Sequence, residues 1–195
     1  LGRDCDRGVE PVRRFRHGLG RQSAFAAAAA GLAMGKDPAG RVARERAMEI
    51  VKTSVYVGPN TWSKEPLIRL TVDLHRRAGK PVAEWGEALI APLLAHVPAL
   101  ARAVAEDGSS FLDRARMAAD CGLGELMAQV ALALEEQAGA PGKRAFTRPA
   151  KHPDEVEVLF GYESEEIGLR AGDLARDLIL DLIAPEDGSS LEDFP

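Results

Sequence analysis

Asp120, Cys121 and Glu125 are side chains of metal-ligating type close together in the sequence, and such a set could hold a divalent cation and activate a water for hydrolysis. Nothing in their spacing fixes the geometry that a metal centre needs. The histidines that could complete one, His75, His96 and His152, fall in three separate segments, and a lone histidine is more often a surface or satisfied core residue than a ligand. Ser109 and Ser110 have no paired base in sight, and a serine ahead of a helix has a sufficient role as its cap. Glu163, Glu165 and Glu166 could receive guanidinium groups through charge-assisted hydrogen bonds. The same cluster also suits the positive end of a helix dipole with no ligand at all. Lys143, Arg144 and Arg148 could contact carboxylates or simply solvate a loop.

The elements that would position these groups begin at Met48. Val51, Val55 and Val57 alternate on one side of a predicted strand that closes at Gly58-Pro59-Asn60. In a second strand Ile68, Leu70, Val72 and Leu74 alternate with Arg69, Thr71 and Asp73, as in a sheet with one face buried. Helices follow. Trp85, Leu89, Leu93 and Val97 form a stripe along 82–97, with Pro92 expected to kink it. Serine in the loop Asp107-Gly108-Ser109-Ser110 caps a short helix from Phe111 to about Met117. From Gly122 to Ala138 the apolar positions Leu123, Leu126, Met127, Val130, Ala131, Leu134 and Ala138 define a buried stripe, and Gly139 ends the helix. A polar loop with Pro141, Pro149 and Pro153 leads to a strand with Val156, Val158, Phe160 and Tyr162 on one face. The closing helix spans about 163–183. Gly168 and Gly172 lie one turn apart inside it, each costing about 1 kcal/mol relative to alanine, which implies a close neighbour such as a strand. The expected fold is a two-layer α+β domain, a small mixed sheet of about three to four strands packed with four to five helices, in the order ββααα then ββα.

A chain of 195 residues is sized for one domain. Hydrophobic content of 46% with 28% charged residues is globular composition without the long apolar runs of a membrane protein. Aromatics at 5% leave alanine and leucine to fill the core. Residues 1–47 carry ten Lys/Arg against five Asp/Glu, whereas the remainder carries 15 against 25. So acidic a remainder would repel phosphate chains, which excludes nucleic acid as an expected partner. Cys5 and Cys121 are too few and too far apart for a disulfide framework, and a reducing cytoplasm is the expected compartment. Residues 1–47 read as a basic, disordered extension or a miscalled start with Met48 as the true first residue. A targeting signal fits less well, because its apolar part is mostly alanine broken by Gly31 and Gly35. The main domain then covers 48–185, and 186–195 reads as an acidic disordered tail.

Several segments in order resemble one family, the N-terminal domain of cyanophycin synthetases. They are Met-Glu-Ile-Val-Lys-Thr at 48–53, Tyr56-Val57-Gly58-Pro59-Asn60, Ile68-Arg69-Leu70-Thr71-Val72-Asp73-Leu74, Val130-Ala131-Leu132 with Gln137-Ala138-Gly139, and Tyr162-Glu163-Ser164-Glu165-Glu166-Ile167-Gly168 with Ala171-Gly172. The resemblance implies a context of polymer chemistry, since these synthetases build an aspartate backbone carrying arginine on its side-chain carboxylates. Their ligase chemistry belongs to ATP-grasp and Mur-ligase-like domains that would follow this one, and the 195 residues contain no glycine-rich phosphate loop.

In the family the N-terminal domain holds the polymer and in some members cuts it at a metal site. That site resembles a His-x-x-Glu-His pattern followed four residues later by another glutamate, all on one helical face. The matching positions here are Glu125, Ala128, Gln129 and Ala133. Zinc sites ordinarily take three protein ligands and alanine supplies none, so neither metal nor cofactor is expected. This face should lie opposite the buried stripe through Leu126, Val130 and Leu134. Thr147-Arg148 also matches a Thr-Arg of the family. The resulting expectation is a non-catalytic binding or accessory module for cyanophycin or β-aspartyl-arginine peptides, with Glu125, Gln129, Arg148, Glu163, Glu165 and Glu166 as candidate binding residues. Two alternatives stand beside it. One is a hydrolase whose metal site is rearranged around Glu125, Asp120 and Cys121. The other is a structural subunit docking on a separate ligase chain through the exposed face of the Gly122 helix.

Overall fold

The alternation at 68–73 forms the central strand β3 (Leu67–Asp73), with Ile68, Leu70 and Val72 buried. In the computed structural model, residues 12–15, 48–58, 65–105 and 107–183 are described, the first four by their backbone alone. The expectations for the rest of 1–47, for the turn at Pro59 and Asn60 and for the tail 186–195 lie outside the described residues.

Strand β2 (Glu49–Tyr56) pairs antiparallel with β3 from Glu49↔Asp73 to Tyr56↔Leu67. A bulge falls between Ile50 and Lys52, and it corrects the expected inward trio: Ile50 and Val55 are buried, whereas Val51 is 46% exposed. One extra residue in a strand moves side chains on its far side to the opposite face. Val57 lies past the strand's end and is also exposed.

The chain then leaves the sheet for its helices and returns as a hairpin, β4 (Ala145–Pro149) and β5 (Glu155–Gly161), with β5 antiparallel to β3. A four-residue strand β1 (Val12–Phe15) pairs antiparallel with β2, so the order is β1-β2-β3-β5-β4. The α+β class and the order ββααα then ββα hold. The sheet is antiparallel at every described pairing rather than mixed, because the hairpin turn reverses β5 against β4 and inserts it beside β3 in the opposite sense.

Four α-helices occur among the described residues: α1 (Gly86–His96), α2 (Phe111–Met117), α3 (Leu123–Gln137) and α4 (Glu165–Ile183). The predicted stripe of Trp85, Leu89, Leu93 and Val97 is buried, and α1 runs on through Pro92. The Ser110 hydroxyl accepts the Asp113 N–H at 3.4 Å, the foreseen cap of α2. Gly139 ends α3 with φ 78°. Gly168 and Gly172 lie where α4 crosses the sheet. A Cβ on them would stand 2.6 Å from Ile68 Cδ1 and 2.8 Å from Leu70 Cδ1, so the close neighbour is β3. No helix among the described residues is long and apolar enough to cross a membrane.

Candidate functional site

Helix α3 begins without a side-chain cap at Gly122, and its second residue is glycine for a steric reason. A Cβ at Gly124 would stand 2.9 Å and 3.1 Å from the two methyls of Val156 on β5. Bare backbone at that point lets the first turn of α3 lie on the sheet. It brings Glu125 to the rim of a cavity of about 310 Å³, with Asp120 before the helix, Thr147 and Arg148 on β4, and Asp154 and Glu155 at the hairpin turn. Glu125 and Arg148, named separately from the sequence, therefore meet around one cavity. Its lining holds four carboxylates, Asp120, Glu125, Asp154 and Glu155, together with the Arg148 guanidinium.

Asp120, Cys121 and Glu125 also come together, but the cation among them belongs to the protein. Arg114 of α2 places Nε 3.3 Å from Glu125 Oε1 and Nη2 3.1 Å from Asp120 Oδ2. Burial pushes the Glu125 carboxyl up and Arg114 opposes it. The Cys121 thiol is fully buried; burial first, and the Glu125 carboxylate second, push its pKa up to about 12. It keeps its proton in the ordinary pH range and offers no thiolate as ligand or nucleophile. Arg114 escaped the sequence reading because α2 and α3 are joined by a turn whose geometry no periodicity encodes.

The remaining candidates are elsewhere. Gln129, Ala128 and Ala133 are buried, at 5, 0 and 5% exposure. This corrects the expectation of an exposed face on α3: the 3₁₀ segment Pro98–Arg102 and α4 pack over the helix as well as the sheet does. The far end of the predicted stripe errs the other way, with Leu134 only half-buried and Ala138 exposed. Gln129 donates from Nε2 to the Val104 carbonyl at 3.5 Å and lines a second cavity of about 180 Å³ with Arg102, Glu136 and Lys143. Glu163, Glu165 and Glu166 stand at the start of α4, which meets α3 near Glu135. That is ten residues along α3 from Glu125, about 15 Å at the helical rise, so the cluster does not join the cavity.

The histidines stay apart as well. His75 Nδ1 lies 3.2 Å from Asp73 Oδ1, and His96 and His152 are exposed. Among the described residues no group of three His, Cys, Asp or Glu is arranged to hold a metal ion. Lys143 pairs with Glu65 at 3.3 Å.

No protein-family model matches the chain. A cyanophycin synthetase of Geminocystis herdmanii is 33% identical over 133 residues, which are 66% of this chain and 15% of that protein. One from Synechocystis sp. is 31% identical over 150 residues, 74% of this chain and 17% of the relative. A third, from Crocosphaera subtropica, is 32% identical over 129 residues, 64% of this chain and 14% of the relative. The resemblance expected from the motifs holds, and it extends over 14 to 17% of the length of these curated relatives.

Proposed function

We propose that this chain, related to one segment of the cyanophycin synthetases, is a non-catalytic binding module of cyanophycin metabolism that receives an arginine-bearing aspartate unit in the cavity at Glu125 and Arg148. The observation that carries the reading is that both signs of charge line that cavity, Asp120, Glu125, Asp154 and Glu155 together with Arg148. A ligand unit with a guanidinium and a carboxylate finds a partner of opposite charge for each, and charge-assisted hydrogen bonds of this kind are the strong ones. The volume, about 310 Å³, is at the lower end for small-ligand sites and fits one such unit rather than a long stretch of polymer. Binding without cleavage is supported by the alanines at 128 and 133, by the protonated Cys121 thiol and by Arg114 standing between Asp120 and Glu125. A cytoplasmic setting belongs to the proposal and agrees with Cys121 being a free thiol.

Isothermal titration with β-aspartyl-arginine and with soluble polymer tests it. Wild type is expected to bind both, and Arg148→Ala and Glu125→Gln to weaken binding by about 10- to 100-fold, the size of one charge-assisted hydrogen bond. Absence of heat from folded wild-type protein would sink the reading. Stoichiometric zinc in the purified protein would favour the rearranged hydrolase instead.

A further inference from the structure

Glu135, near the end of α3, is fully buried. Its carboxyl is enclosed by glycines from two other segments. A side chain at Gly142 would run into Glu135 Oε2, the Gly161 carbonyl and Leu132. One at Gly168 would stand 2.8 Å from Glu135 Oε1 and 3.0 Å from Tyr162 Cβ. Neither carboxyl oxygen completes a hydrogen bond among the described residues. The Gly142 N–H is the donor that acts on it, without full hydrogen-bond geometry. An ionised carboxylate so enclosed is heavily penalised, whereas a neutral acid is tolerated.

Burial pushes the Glu135 pKa up to about 8, and no charged neighbour contributes to the shift. The surrounding elements show why. Glu136, next on α3, turns out to Arg102 at 2.5 Å, Lys143 in the loop pairs with Glu65 at 3.3 Å, and Arg144 is exposed. β3 and α4 present Ile68 and Gly168. Tyr162, whose Cβ also packs at Gly168, donates its hydroxyl to the Tyr56 carbonyl at 3.5 Å.

We propose that Glu135 is a proton-controlled latch on the loop joining α3 to β4: protonated, the acid stays sealed between Gly142 and Gly168, and ionised, it drives the loop at 140–144 aside to reach water. That loop is otherwise held by the Lys143–Glu65 ion pair at 3.3 Å and by its backbone, through Ala140 N–H to the Glu135 carbonyl at 3.0 Å and Gly161 N–H to the Arg144 carbonyl at 2.8 Å. It leads directly into β4, which carries Thr147 and Arg148 to the cavity. Loss of one buried proton therefore loosens one wall of that cavity. The latch stands on the geometry around Glu135 and is independent of which ligand the cavity takes.

Hydrogen–deuterium exchange on the full chain tests it. With intrinsic exchange rates removed, opening of residues 140–144 is expected to rise about tenfold per pH unit between roughly pH 5 and 8 and then level off, because the open-state carboxyl titrates near its ordinary value. Glu135→Gln, an uncharged isostere, should abolish that dependence. A ¹³C titration of the wild-type carboxyl needs no variant and should show a midpoint of about 8. A midpoint at the ordinary carboxylate value, flat exchange in the wild type, or an equal slope in E135Q would each overturn the latch.

Discussion

Arg114 Nε stands 3.3 Å from Oε1 of Glu125, and the contact joins α2 to the first turn of α3. With Asp120 Oδ2 3.1 Å from the same guanidinium, the protein's own arginine is the cation between these two carboxylates. The Glu125 carboxylate in turn holds the Arg114 guanidinium charged. This pairing holds two of the carboxylates that line the cavity and gives the first prediction.

Arg114→Met should leave Glu125 half-buried beside Asp120 with no cation between them, and so raise the Glu125 pKa further. The sign follows from removing the one group that lowers it through charge while burial and Asp120, which both raise it, stay. The expected loss of stability at neutral pH is about 1 to 2 kcal/mol, discounted because the pair is partly solvated. Carboxyl ¹³C titration and urea unfolding check the two parts, and an unchanged Glu125 midpoint would contradict the account.

Gly124→Ala should destabilise the protein in spite of alanine's better helix propensity. The gain is about 1 kcal/mol and overpacking costs about 1 to 3 kcal/mol. Rotating Val156 brings no relief, since both of its methyls face the new Cβ, at 2.9 and 3.1 Å. A net loss of about 1 kcal/mol in denaturant unfolding is expected, together with weaker ligand binding as the first turn of α3 lifts Glu125 from the cavity. A more stable variant would mean that β5 yields freely.

Stability should fall with rising pH through Glu135. Its folded pKa of about 8 exceeds the ordinary 4.5, so its stabilising contribution is complete below 4.5 and is lost as pH rises through about 8. The loss amounts to about 4 to 5 kcal/mol at most, at 1.36 kcal/mol per pKa unit. Comparing wild type with Glu135→Gln between acidic and alkaline buffer isolates this contribution from other titrations. Parallel stability curves would refute it.

Cys121 should resist alkylation in the folded protein. Full burial and a pKa of about 12 deny the reagent both access and a thiolate. In a Cys5→Ala background, labelling by iodoacetamide at mildly alkaline pH is expected to be at least about a hundredfold slower in buffer than in denaturant. Equal rates would show that the α2–α3 turn opens readily.

Local patterns in the chain carried the order of elements, the Ser110 cap, the stop at Gly139 and the close approach behind Gly168 and Gly172, because each depends on a period or a backbone preference within a few residues. The family resemblance pointed to Glu125 and Arg148 one at a time. Tertiary structure alone decided that these two share a cavity, that Arg114 reaches Asp120 and Glu125, and that a bulge turns Val51 outward. It likewise decided that Ala128, Gln129 and Ala133 are covered by Pro98–Arg102 and α4. An amphipathic stripe says which face of a helix is apolar, but alanine and a hydrogen-bonded glutamine can be enclosed as well, so burial on every side becomes visible only when the neighbours are in place. For Glu135 the chain reads as an ordinary acidic residue near a helix end, and only the glycines packed from the α3–β4 loop and from α4 make it a sealed acid.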